Sequence, residues 1–330
     1  MVGINRISFS MVKVIRKEWL WLTFPIILGL LLRLPRLGEF NNNYYTATVK
    51  SMTLNWSNFF YGSFDPSGLV MVDKPPAAFW LQSLPGLLLG VGDWSVTLPQ
   101  FIMGIVSIPL IYFIVGRTFG GIAGIVSASV LAVLPASVII DTRNEPDALV
   151  AFCLLLAAAC IVKAVQTSQW KWLIFFSVLI ALGFNSKMFV AFVPLPIFMT
   201  FLFLGWNKGW KKSLMIVAVA STLTLLLSSL WISTVALTPS DSRPYVGSTR
   251  DNSIWTLTFE YNGLRRFDGF GGGPRMGLPH PGSATLNIST QPTSGLVTAP
   301  TNRLNPVGPT PTCLPQNLPP GTVSMPQRWQ

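Results

Sequence analysis

Five short polar stretches interrupt an otherwise apolar sequence, and each carries residue types that could do chemistry. In "SFDPSGLVMVDKPP", Lys74 is a fixed cation suited to a phosphate, and Asp73 beside it could orient the ammonium or bind a metal. Pro75 and Pro76 stiffen the exit and keep the residue before them extended. In "GEFNNNYYTATVKSM", Glu39 precedes three asparagines and the pair Tyr44 and Tyr45. A carboxylate there could act as general base for an incoming hydroxyl or amine. A helix cap with interfacial tyrosines accounts for the same residues structurally. In "DTRNEPDALV", Arg143 and Asp147 stand four apart around Pro146, which suits a first helical turn. An acid in that turn complements the helix dipole, which leaves Arg143 as a phosphate or carboxylate partner. In "GFNSKM", Lys187 stands where one apolar run meets the next; a snorkelling side chain explains such a lysine equally. The fifth, "TPSDSRPYVGSTRDNS", carries Asp241, Arg243, Tyr245 and Arg250 and could cover a site.

The elements that must position these groups follow from composition. Half of the 330 residues are hydrophobic and 11% are charged, against about 25% in soluble domains. Several apolar runs approach the roughly 20 residues needed to cross a ~30 Å hydrocarbon core. The expected fold is an all-α polytopic membrane protein with about seven transmembrane helices, near 18–36, 94–116, 119–140, 148–165, 171–186, 188–205 and 213–237. Each run is apolar all round, as a helix among lipid and other helices should be. Cys153 and Cys160, seven apart, share one helical face as small apolar core residues. Cys313 is isolated and the one histidine, His280, lies in the tail, so the spacing offers no metal site and no Ser-His-Asp triad.

Loop charge sets the orientation. Residues 1–17 carry Arg6, Lys13, Arg16 and Lys17, which places the N-terminus in the cytoplasm. The run after it lacks a small-residue cleavage site and reads as a retained first span. Residues 75–92 are short, open on two prolines and contain Gln82, Pro85 and Gly86. If they lie along the outer interface, anchored by Phe79 and Trp80, then Arg117, Lys163, Lys171, Lys208, Lys211 and Lys212 all fall in cytoplasmic loops. The formal charge of +11 is then a membrane signature. No basic stripe with interleaved aromatics points to nucleic acid. The outer face receives the loop and interfacial helices of 38–92, Asp141 to Asp147, Asn185 to Lys187 and a polar loop over 238–270. Residues 271–330 are rich in Pro and Gly, without acids or a sustained apolar run, and are expected to be disordered. A frameshift or truncation after about Phe270 would produce such a tail.

The succession "VDKPP", "RNEPD", "GFNSK" and "TPSDSRPYVGS", behind a first span and a Tyr-rich outer loop, resembles the GT-C class of membrane glycosyltransferases. The likeness is to the bacterial protein-mannosyltransferase-like and aminoarabinose-transferase-like group, and to its mannosyltransferase branch. It runs from about Val12 to Phe267, roughly the N-terminal half of a full-length member. The resemblance implies a cell-membrane enzyme that moves a mannose-like hexose or an aminoarabinose-like sugar. The donor would be a polyprenyl phosphate and the acceptor, of unknown identity, would stand on the extracytoplasmic face. It implies that Lys74 contacts the donor phosphate, with Arg143 and Lys187 in support. Tyr44, Tyr45, Asp147 and Arg243 are expected in the substrate loops. The reaction would be an inverting displacement. It assigns no metal ligand or cofactor and leaves a divalent ion open. Where related transferases carry an Asp-Glu pair this chain reads Asn41-Asn42, which leaves Glu39 or Asp73 as the expected base. The alternatives are a truncated non-catalytic fragment or subunit that binds the lipid donor, and a lipid or sugar transporter. The last needs polar groups near the bilayer midplane.

Overall fold

The computed structural model describes residues 15–206 and 209–264. The expectations for residues 1–14 and for the Pro/Gly-rich tail lie outside the described residues. All seven apolar runs are helical. The order is α1 (Ile15–Arg33), α2 (Asn43–Met52), α3 (Trp56–Tyr61), α4 (Ala77–Leu89), α5 (Asp93–Phe119), α6 (Gly121–Val133), α7 (Pro135–Asp141), α8 (Asp147–Thr167), α9 (Lys171–Lys187), α10 (Leu195–Gly205) and α11 (Trp210–Leu237). No β-strand forms among the described residues beyond isolated bridges. The chain is an all-helical, multi-pass membrane protein. Among the described residues, four segments are long and apolar enough to cross alone: α5, α8, α9 with the 3₁₀ turn Met188–Phe192 behind it, and α11. The bent pair of α6 and α7 makes a fifth.

Two expected spans are broken, for identifiable reasons. The run 119–140 divides at Leu134 into α6 and α7, which meet at 61°. Pro135 has no N–H to give the carbonyl of Leu131, so the ladder fails there. Arg33, fully buried at the end of α1, supplies the missing donors. Its Nη2 donates to the Leu131 carbonyl at 3.3 Å and its Nη1 to that of Ala132 at 2.8 Å. Its Nε pairs with Asp141 at 2.9 Å, and Ser137 bridges guanidinium and carboxylate. Gly104 on α5 makes room for Asp141, because a Cβ there would lie 2.3 Å from the Asp141 Cγ. The run 188–205 also breaks, into the 3₁₀ turn and the 11-residue α10. Met188, at φ 51°, and Pro194 interrupt it. α10 spans only about 16 Å at 1.5 Å per residue. The whole segment nonetheless runs along the bundle. Met188 packs with Val150 near the start of α8, while Leu202 and Trp206 pack with Ile161 and Ala164 near its end.

α4 has 13 residues and falls short of a membrane crossing. One face, with Ala77, Ala78, Phe79, Gln82 and Ser83, is buried, while Leu84, Leu87, Leu88 and Leu89 are exposed. Tyr45, Val49 and Met52 of α2 pack with Phe79, so α2 and α4 form one layer. Cys153 and Cys160 are both buried, in separate apolar clusters along α8.

Candidate active site

The site is built on the extended segment that leads into α4. Val70 forms a parallel bridge with Tyr245 and Ser63 an antiparallel one with Met71. Met71 N donates to the Tyr245 carbonyl at 2.8 Å, and Tyr245 N to that of Leu69 at 2.7 Å. Gly247 lets the two strands of chain approach, since a Cβ on it would meet the Met71 carbonyl at 2.1 Å. The loop after α11 thus grips the residues just before Asp73. On the other side, Ala77 and Ala78 pack against Ala148 and Leu149 in the first turn of α8. Asp73 and Lys74 are therefore held where α4, the start of α8 and the post-α11 loop converge.

Lys74 is 5% exposed and forms an ion pair with Asp73. The Tyr261 hydroxyl donates to Asp73 Oδ2 at 3.1 Å, and Asn262 Nδ2 donates to the Asp73 carbonyl at 3.1 Å. The Lys74 ammonium also stands 5.1 Å from the centre of the Tyr261 ring. Tyr261 and Asn262 sit in the π-helical stretch Thr256–Leu264. Burial pushes the phenols of Tyr44 and Tyr45 well above the ordinary tyrosine range, and the negative charge of Asp73 adds to it for both. Glu145 contributes the same effect at Tyr45. Asp73 Oδ1 and Asn262 Oδ1 are buried with no hydrogen-bond partner. An apolar cavity of about 430 Å³ opens between α4, α5, α8 and α9, lined by Leu84, Pro99, Met103, Leu149, Phe152 and Leu182; Met103 and Leu149 also belong to the cluster that holds Ala77 and Ala78.

The other residues singled out from the sequence have separate surroundings. Glu39 is exposed, and its carboxylate makes no hydrogen bond or ion pair with a described residue. Asn41 and Asn42 dock the Asn144 loop. Asn41 Oδ1 accepts from Asn144 N at 3.1 Å and from Thr97 Oγ1 at 2.7 Å, while Asn42 N donates to Asn144 Oδ1 at 2.7 Å. Asn42 also caps α2, its Oδ1 accepting from Tyr44 N at 3.0 Å. Arg143 lies over the Phe40 ring, 5.6 Å from its centre. Lys187 pairs with Asp147, joining the end of α9 to the start of α8. The strained backbone of Met188 follows Lys187 directly. Arg243 organises its own loop, donating to Asn252 Oδ1 and to the Asn252 carbonyl, both at 2.8 Å. Among the described residues, no group of three or more His, Cys, Asp or Glu is gathered as for a metal ion.

The structure thus gathers Asp73, Lys74, Tyr44 and Tyr45, and adds Tyr261, Asn262 and Glu145. Nothing in the local sequence announced Tyr261 and Asn262, which lie 188 and 189 residues from Asp73. Glu145 was visible only as an acid near a helix start.

Residues 73–233 match the family described as Dolichyl-phosphate-mannose-protein mannosyltransferase. Over 228 residues the chain is 42% identical to the Bacillus subtilis (strain 168) protein named "Putative mannosyltransferase YycA", covering 69% of this chain and 33% of that one. Over 239 residues it is 38% identical to "Putative mannosyltransferase YkcB" of the same organism, covering 72% and 33%. The chain therefore spans about a third of the length of these relatives. Its fold matches the crystal structure of ArnT from Cupriavidus metallidurans in the apo state, with a TM-score of 0.51 at 16% identity over 67% of this chain and 42% of that one. Over residues 73–233 the chain is thus similar to that mannosyltransferase family, and its fold is similar to that of ArnT.

Proposed function

We propose that this chain provides the donor-binding face of a membrane glycosyltransferase. The enzyme would move a mannose-like hexose or an aminoarabinose-like sugar from a polyprenyl phosphate to an acceptor on the extracytoplasmic side. The observation that carries this reading is the buried Asp73–Lys74 pair just ahead of α4, a helix whose Leu81 and Leu84 line an apolar cavity. Such a site offers charge to a phosphate and a dry surface to an isoprenoid chain. The family name, with its lipid-phosphate sugar, supports the same donor class.

In this mechanism the Asp73 carboxylate accepts the proton from the acceptor's O–H. The acceptor oxygen forms its bond to the anomeric carbon from the face opposite the phosphate, which inverts that centre. The bond between the anomeric carbon and the phosphate oxygen breaks, and its electron pair leaves with the lipid phosphate. Lys74 stabilises the charge that develops there. A phosphate leaves readily, so no general acid is required. Asp73 is the better placed of the two expected bases, because it adjoins Lys74 whereas Glu39 is exposed. Arg143 and Lys187 are supporting cations, and Asp147 holds Lys187 until a phosphate arrives. Tyr44 and Tyr45 wall the site, and Arg243 shapes the loop over it. The basic loops support a cytoplasmic N-terminus and an extracytoplasmic site.

The test is turnover of a synthetic polyprenyl-phosphate hexose by the purified chain in detergent. We expect sugar transfer or release by the wild type, reduced about 10²–10⁴-fold in Asp73→Asn, as for loss of a general base. A wild type that neither binds nor turns over any such donor would remove the reading.

A further inference from the structure

A phosphate that reaches Lys74 meets an ammonium already paired with an anion. It donates to the Asp73 carboxylate and, at 3.3 Å, to the Asp73 carbonyl. A donor phosphate must therefore compete with Asp73. We propose that donor binding is an exchange in which the lipid phosphate displaces Asp73 from Lys74, while Tyr261 and Asn262 hold the released aspartate in place to receive the acceptor's proton. This rests on the donor reading given above and adds an order to it, donor first and acceptor second.

Three observations carry the proposal. First, Asp73 has an anchor independent of Lys74. Tyr261 holds its Oδ2, and Asn262 holds its carbonyl. Asn262 Nδ2 is itself tied at 3.1 Å to the carbonyl of Leu257, a core residue packed with Met71 and Val246. The carboxylate can lose its cation without losing its position. Second, the Tyr261 ring faces the Lys74 ammonium. A cation over an aromatic face keeps part of its stabilisation while it changes anionic partners. Third, Asp73 Oδ1 is buried and unpartnered. An unfilled carboxylate oxygen costs free energy in the resting state and is the natural seat for an acceptor hydroxyl. With Lys74 moved onto the phosphate, the Asp73 carboxylate is released from the ammonium, to take the acceptor's O–H, only once a donor is bound. The π-helical stretch is the kind of local irregularity that places side chains where a regular helix would not. Tyr261 and Asn262 are positioning residues in this scheme.

The experiment measures binding of sugar-free polyprenyl phosphate to the purified wild type, Asp73→Asn and Tyr261→Phe, with thermal melting on the same samples and kinetics on those that turn over. Asp73→Asn, with the internal competitor gone, is expected to bind the lipid phosphate at least tenfold more tightly than the wild type. Tyr261→Phe keeps the ring and loses the anchor. It is expected to bind within threefold of the wild type, with kcat down at least tenfold and the donor KM unchanged. Equal or weaker binding by Asp73→Asn would overturn the exchange while leaving the donor reading intact, and so would a Tyr261→Phe variant whose kcat matches the wild type. If neither wild type nor Asp73→Asn binds the lipid phosphate, the donor reading itself is lost, and the exchange with it.

Discussion

Arg33 and Lys74 are both buried cations paired with an aspartate, yet their surroundings are completed in opposite ways. Every N–H of the Arg33 guanidinium has an acceptor: Asp141, Ser137 and the carbonyls of Gly29, Leu131 and Ala132. Three of those partners are main-chain carbonyls, and two of them, Leu131 and Ala132, lie at the helix break, so the charge repairs backbone. At Lys74 the partner is the adjacent residue, and the group leaves Asp73 Oδ1 and Asn262 Oδ1 without hydrogen bonds. A buried charge whose partners are all supplied by the fold is a strut. One that leaves acceptor capacity unused is a place where a ligand can complete the set.

The two groups should therefore fail differently. The largest effect on stability is expected at Arg33→Leu. It leaves Asp141 buried without its cation and frees the Leu131 carbonyl, at a cost of about 3–5 kcal/mol. Thermal melting in detergent reads this, and the double variant Arg33→Leu with Asp141→Leu should recover much of the loss. Lys74→Ala should cost less stability, about 1–3 kcal/mol, because Tyr261 still holds Asp73. Next comes Gly104→Ala, whose new Cβ would meet Asp141 Cγ at 2.3 Å and Oδ2 at 2.4 Å. Overpacking of this sort costs about 1–3 kcal/mol. Its loss should be non-additive with Arg33→Leu, since both act on Asp141.

A smaller effect concerns pH. Tyr44 and Tyr45 have phenols raised above the ordinary tyrosine value of 10.0, chiefly by burial. Their contribution to stability is complete below that value and is lost as pH climbs through the folded-state range. Melting temperature should thus fall above about pH 10, and Tyr45→Phe should flatten the fall. The smallest effect is predicted for Glu39→Gln. Being exposed and unpaired, it should change stability by no more than about 0.5 kcal/mol and leave turnover nearly unchanged. A large loss of turnover there would move the base from Asp73 to Glu39.

The sequence made the helices legible because all seven apolar runs are long and bounded by charge or proline. It also made Asp73 and Lys74 legible, since an Asp-Lys-Pro-Pro clip before a short apolar run is locally odd. The break at Leu134 had a local signal in Pro135, but the donor that repairs it, Arg33, lies about a hundred residues away. Tyr261 and Asn262 escaped for the same reason, because contact across the whole chain leaves no local spacing to read. Asn41 and Asn42 show the opposite case. The resemblance to transferases with an Asp-Glu pair there suggested missing acids, while the structure uses them to cap α2 and to bind the Asn144 loop.

The most direct test compares donor turnover per folded molecule in Lys74→Ala and Arg33→Leu, measured below the melting temperature of both. The account predicts that Lys74→Ala stays folded and loses turnover by about 10²-fold or more. Arg33→Leu should melt early, yet keep most of its turnover while folded. The reverse pattern, with turnover retained without Lys74 and abolished in folded Arg33→Leu, would contradict it.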